Sequence, residues 1–190
     1  MNAVSPLQSL KPHKLTVDDI LTLDRGGAFA GLPRMELLDG TLCEISPQTS
    51  PHVRARNRLM FRLQSRIIEL ALPFEAFSEA TIKIGSNHAP EPDVVISDKP
   101  DVDGYYPASC ILLAVEVAVT SMRTDMGYKL PLYAAAAIPE YWIVDVDAAQ
   151  IIQFWSPLGE NYRDTRKVGF GEPVECATIP GLRIATAGLV

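Results

Sequence analysis

Two carboxylates stand where an apolar chain seldom places them. Asp93 opens the β-branched run PDVVIS (92–97), and Glu116 interrupts the apolar run CILLAVEVAV (110–119). A charge inside a buried strand costs free energy unless it is paired or coordinated. If the two runs are neighbouring strands, both carboxylates project from one sheet face near one edge. Two such side chains are what Mg²⁺ or Mn²⁺ takes from a protein, with water and substrate phosphate completing its octahedron. The cation offsets the buried charge and lowers the pKa of a bound water for attack on phosphorus. Residues 122–137, read as the next helix, carry the complement. There Asp125, Lys129 and Tyr133 recur at i, i+4 and i+8 and form one stripe. A lysine aimed at the carboxylate edge orients a water or stabilises charge on phosphate. Alternatively, Asp125 and Lys129 form an exposed ion pair worth about a few tenths of a kcal/mol.

The elements that must hold these residues follow from periodicity. TVDDILTLD (16–24) is a short helix with Thr16 as N-cap and Asp18 and Asp19 in its first turn. In MELLDGTLCEIS, two apolar runs meet at Asp39-Gly40, a type I′ hairpin signal. Residues 50–72 are the clearest helix, with Leu59, Met60, Leu63, Ile67, Leu70 and Ala71 on one side. FEAFSEATIKIG (74–85) alternates as a single half-buried strand, closed by a turn at Ser86-Asn87. The run 110–119 reads as a central strand buried on both faces. Pro131 predicts a kink or a late start in the helix after it. EYWIVDVDAAQIIQFWS supplies a second hairpin, and the tail adds an edge strand and IPGLRI. This order describes an α/β domain on a mixed β-sheet flanked by helices, with an N-terminal hairpin.

Composition bounds the function. With 190 residues, 47% of them hydrophobic, the chain fits one domain over 15–190 behind a loose segment at 1–14. It has no run of about 18 uncharged apolar residues, as a membrane helix needs. The start, MNAVSPLQSLKPHK, lacks the apolar centre of a secretory signal, so a cytoplasmic location is expected. Cys43, Cys110 and Cys176 are far apart and odd in number, with neither a disulfide framework nor zinc spacing. Cys43 and Cys110 are read as small core residues. A net charge of −6 argues against broad affinity for nucleic acid, but leaves room for a local basic patch or a divalent cation. Arg54, Arg58, Arg62 and Arg66 repeat every four residues along the long helix. That stripe either follows a phosphate backbone or is an ordinary solvated face. It is the strongest basic cluster here, and the place to look for a nucleic-acid contact.

The stretches MELLDGTLCEISPQTSPHV, PDVVIS, LLAVEVAVTSMRTDMGYKLPLYAAAAIPEYWIVDV and IPGLRI closely resemble the Uma2 family. That family comprises bacterial proteins of the restriction-endonuclease-like, PD-(D/E)xK nuclease superfamily. The resemblance runs over residues 15–185 and implies a restriction-endonuclease-like fold and a Mg²⁺-dependent endonuclease acting on DNA. Pro92-Asp93 matches the PD motif and implies Asp93 as a metal ligand. Glu116 matches the acidic member of (D/E)xK and implies the second ligand, helped by the Val117 carbonyl. The superfamily lysine would stand at Ala118. The Uma2 pattern carries a lysine on the next helix instead, here Lys129. Glu36 matches a family glutamate that completes the acidic cluster. His52, in SPHV, resembles a frequent family histidine that either approaches the site or hydrogen-bonds backbone at the helix start. Glu79 lies within possible reach of the cluster, and Tyr141 and Trp142 read as core or interface aromatics. A homodimer is expected because cutting two strands takes two sites. The alternative is a catalytically inactive binding or assembly module that keeps the nuclease fold.

Overall fold

The computed structural model describes residues 11–99 and 101–190; residues 1–10 of the segment expected to be loose lie outside the described residues. Helix α1 (Val17–Arg25) begins at Thr16, whose hydroxyl accepts from the Asp19 amide while the Asp19 carboxylate accepts from the Thr16 amide. This reciprocal capping box satisfies two donors that a helix start otherwise leaves orphaned. Strands β1 (Met35–Leu38) and β2 (Thr41–Glu44) pair antiparallel around Asp39 (φ 48) and Gly40 (φ 70). Both angles are positive, as a type I′ turn requires. Helix α2 (Ser50–Glu69) buries Ala55, Leu59, Leu63 and Ile67. Each of its three large aliphatic side chains contributes about 1.5–3 kcal/mol of burial.

The strand expected over 74–85 is broken. It forms β3 (Glu75–Ser78) and β4 (Ile82–Lys83), separated by Glu79 at φ 59. At that left-handed residue the chain leaves the main sheet, and the Glu79 amide donates to the Asp93 carbonyl at 3.2 Å. Strand β5 (Val94–Ser97) follows, then β6 (Tyr106–Pro107), which pairs with β4, and β7 (Ile111–Ala118). The helical segment after β7 is composite: α3 (Met122–Thr124), a π-helical turn over Asp125–Lys129, and α4 (Leu130–Ala135). Pro131 sits in the first turn of α4, directly after the π-turn, where its missing N–H is tolerated; the helical run itself begins at Met122, so the expected late start is not seen. Strands β8 (Glu140–Asp145), β9 (Gln150–Leu158) and β10 (Asn161–Gly169) complete the main sheet, and β11 (Val174–Glu175) pairs with β12 (Arg183–Ile184).

The six-stranded sheet has the order β10-β9-β8-β7-β5-β3, with β7 and β8 parallel and the other neighbours antiparallel. A parallel pair needs a crossover connection. That requirement carries α3, the π-turn and α4 across one face of β7. Along β7, Leu113, Val115 and Val117 pack on the α2 side, whereas Ala114 and Ala118 pack with Leu130, Tyr133 and Tyr141. Side chains alternate along a strand, so Glu116 faces the crossover helices. Tyr141 and Trp142 are fully buried core residues. Cys110 and Cys176 are buried free thiols, but Cys43 is only half-buried on the open hairpin.

Candidate active site

Strands β5 and β7 bring the two carboxylates together, although Asp93 lies one residue ahead of β5 rather than opening it. Val94 lies opposite Val115, and one step along that register Asp93 is level with Glu116. The hairpin delivers a third carboxylate. A bridge between Leu37 and Ala89 ties β1 to the segment before Asp93, and the Glu91 amide donates to Glu36 Oε1 at 2.7 Å. Glu36, Asp93 and Glu116 line one cleft of ≈ 290 Å³ with His52, Asp125 and Lys129.

Within this cleft each carboxylate is held by one oxygen. Asp93 Oδ2 accepts from the Val117 amide at 2.7 Å and faces His52 Nε2 at 3.1 Å. Glu116 Oε1 accepts from Lys129 Nζ and from the Tyr133 hydroxyl, both at 2.9 Å. Glu36 Oε1 accepts a second bond from Lys129 Nζ, also at 2.9 Å. The remaining oxygens of Asp93, Glu116 and Glu36 carry no hydrogen bond among the described residues. Lys129 is therefore no exposed partner of Asp125: its side chain is 8% exposed and bridges two buried acids. Asp125 instead accepts from the Ser121 hydroxyl at 2.6 Å.

Burial and charge set the protonation of this cluster. Burial pushes the Glu116 carboxyl well above its usual range, and Lys129 opposes that shift. Burial also works against a charged Lys129, but Glu116 and Glu36 outweigh it and raise the ammonium above its ordinary value. These two shifts pull against each other, because a neutral Glu116 would remove half of the lysine's support. With two carboxylate oxygens at 2.9 Å, the lysine stays charged. Burial pushes Asp125 up to about 6, against the opposing effects of Ser121 and Lys129.

The donor set can be tested against a divalent cation. Among the described residues, no three His, Cys, Asp or Glu side chains form a ready-made cage. Mg²⁺ does not require one, since one or two carboxylates plus water and phosphate suffice. Asp93, one residue ahead of β5, lies beside Glu116 of β7, and each keeps an oxygen free of hydrogen bonds, so the residues fit that role. The contact seen at Val117 is through its amide, to Asp93.

The family model of Uma2, described as "Putative restriction endonuclease", matches residues 17–187. The chain belongs to the Uma2 family. Among solved structures, it is similar to a "putative nuclease belonging to DUF820" from Anabaena variabilis, with TM-score 0.64 and 16% identity over 88% of this chain and 90% of that one. At that identity the likeness concerns the fold, which is restriction-endonuclease-like. No curated protein sequence matches the chain.

Other residues of this Uma2 chain fall differently from expectation. His52 reaches the site through its side chain, not the backbone at the helix start. In the arginine stripe, Arg58 donates to the Gly188 carbonyl at 2.8 Å, and Arg62 to those of Ala185 and Ala187 at 2.7 and 2.9 Å. Arg66 pairs with Glu69 at 2.9 Å, while Arg54 is exposed. Two of the four thus clamp the C-terminal segment, because that segment runs along the face left open in the helical pattern. Glu79 does not join the acidic cluster; it pairs with Arg34 and with buried Arg56. Arg34, Arg56 and Glu91 have no signature in spacing or periodicity. Only the acidic character of the EPD stretch before β5 hinted at Glu91.

Proposed function

We propose that this Uma2 chain is a Mg²⁺- or Mn²⁺-dependent endonuclease that hydrolyses phosphodiester bonds in DNA. The observation that carries this reading is the position of Lys129, whose Nζ lies 2.9 Å from both Glu116 and Glu36. It supplies at the acidic cleft the cation that the strand, with Ala118 two residues after Glu116, does not. Asp93 and Glu116 would hold the metal. The chemistry such a cation supplies is a water of lowered pKa and positive charge beside the phosphate.

The chain's own side chains do the rest. Glu36 and Tyr133 fix Lys129 and Glu116 in place, and His52 and the Val117 amide orient Asp93. Lys129 is held charged, which excludes it as a general base and suits it to stabilise negative charge on phosphate. Two of its three N–H donors are engaged by carboxylates, leaving one for the attacking water or a phosphate oxygen.

Calorimetric titration of Mn²⁺ into wild type, Asp93→Ala and Glu116→Ala tests the metal site. Affinity is expected in wild type and lost in both variants; equal affinity in all three removes the site. Nicking of supercoiled DNA with Mn²⁺ then tests catalysis, and Lys129→Ala is expected to lower the rate by about 10²–10³. The competing reading, an inactive nuclease-fold binding or assembly module, is favoured by the same lysine, which already bridges both acids and offsets part of their charge. It predicts DNA binding or self-association without nicking. A homodimer, which double-strand cutting would need, is checked by light scattering of the eluted protein.

A further inference from the structure

Five carboxylates line the cleft (Glu36, Glu91, Asp93, Glu116 and Asp125) against two full cations, Arg34 and Lys129. A divalent cation at Asp93 and Glu116 would offset part of that surplus, and a cation at the entrance would lower what remains for an approaching phosphodiester backbone. Lys129 is buried and its described bonds go to Glu36 and Glu116. The Arg34 side chain, by contrast, is 44% exposed and is shared between the cleft and a neighbouring groove.

Arg34 is also held in place. Its Nη1 donates to Glu79 Oε1 at 2.5 Å and its Nη2 pairs with Glu91. Guanidinium carries five N–H donors, so others remain without a partner among the described residues. Glu79 is itself anchored by Arg56 and by Gln48 Nε2 at 3.3 Å, and its amide donates to the Asp93 carbonyl at 3.2 Å. Its backbone sits at φ 59, a conformation that a non-glycine residue keeps only when its surroundings impose it. One strained residue therefore ties the backbone of Asp93 to the guanidinium of Arg34.

We propose that Arg34 receives a backbone phosphate of the DNA at the cleft entrance, positioned for it by Glu79 and Glu91. This rests on the nuclease reading of the cleft and adds to it a phosphate-binding residue. Its planar fork can grip two phosphate oxygens while the opposite edge stays on the two carboxylates. It is the exposed guanidinium lining an acidic cleft, with N–H donors left over from its two carboxylate contacts, and it would set where along the backbone the strand enters.

Anisotropy of a labelled duplex, with Ca²⁺ replacing Mg²⁺ to prevent cleavage, tests this between about 50 and 200 mM salt. Arg34→Gln is expected to bind about tenfold more weakly. The slope of log K against log salt should fall by about 1 for that variant. Arg34→Lys keeps the charge, so its slope should stay at the wild-type value. Its affinity should drop a few-fold because the fork is gone. Wild-type affinity and slope in Arg34→Gln overturn the proposal. If Arg34→Gln does not fold, wild-type affinity in Arg34→Lys overturns it instead. Absence of DNA binding by wild type removes the nuclease reading, and Arg34's role with it. Binding by wild type that neither variant alters removes the role of Arg34 alone.

Discussion

Asp125 lines the cleft at only 1% exposure, with the Ser121 hydroxyl as its hydrogen-bond donor. Burial raises it from 3.8 to about 6, so the folded chain holds that proton more tightly than the unfolded chain. As pH rises from about 4 to 6, the unfolded group ionises first, and the fold loses stability across that window. Above it the loss is complete, about 2–3 kcal/mol for a shift of this size. Asp125→Asn keeps an acceptor for Ser121 and removes the ionisation. Calorimetric unfolding should place its Tm above wild type at about pH 7.5 and level with it at about pH 3.5. A variant less stable than wild type at the higher pH would show that the charge is stabilising. At this scale the sequence marked Asp93, Glu116 and Lys129, because a charge in an apolar run and a helical stripe are local patterns. It did not mark Arg34, and it directed Glu79 to the acidic cluster rather than to Arg34 and Arg56, because those partners are distant in sequence.

The hairpin is the element that brings Glu36 to Lys129, and its turn tolerates little change. Gly40 has φ +70, and a Cβ there would meet Lys14 Cβ at 2.6 Å and the Leu15 carbonyl at 3.0 Å. Its amide and carbonyl are also bonded, to the Asn87 carbonyl at 2.8 Å and the Leu15 amide at 3.0 Å. Gly40→Ala combines a disfavoured backbone with contact against main chain, and should cost about 1–3 kcal/mol. Urea denaturation measures this, and an unchanged midpoint would mean that the turn relaxes freely. The crossover between β7 and β8 is the second decisive element. Its π-turn over Asp125–Lys129 inserts extra backbone where an ordinary helix was expected. Asp125 and Lys129 are both buried in that turn, which is consistent with the frequent placement of such bulges at functional sites. Periodicity revealed a helix there, but not the bulge, because a π-turn is selected by what packs against it.

For the molecule as a whole, one buried carboxylate joins the sheet to the C-terminal segment. Glu140 is fully buried and accepts from the Ala177 and Thr178 amides, the Thr178 hydroxyl, Trp142 Nε1 and Gln153 Nε2. Glu140→Ala would leave these donors without their acceptor, at a cost of about 3–5 kcal/mol. The expected result is a much lower urea midpoint with the Mn²⁺ affinity of the folded protein unchanged, since Glu140 does not line the cleft. A wild-type midpoint would mean that water replaces the carboxylate. Arg58 and Arg62 secure the same segment from α2, which explains why two residues of the apparent phosphate stripe face carbonyls.

The sequence by itself determined the N-cap of α1, the type I′ hairpin, the buried run of β7 and the carboxylates of Asp93 and Glu116. Each depends on residue types within a few positions, where backbone sterics and side-chain periodicity act. Tertiary structure alone decided that Lys129 bridges Glu116 and Glu36, the latter 93 positions away. It likewise decided that Asp93 stands level with Glu116, that His52 enters the cleft, and that Glu79 breaks a strand to hold Arg34. These follow from strand order, register and the crossover over β7, which bring together charges that no local pattern links.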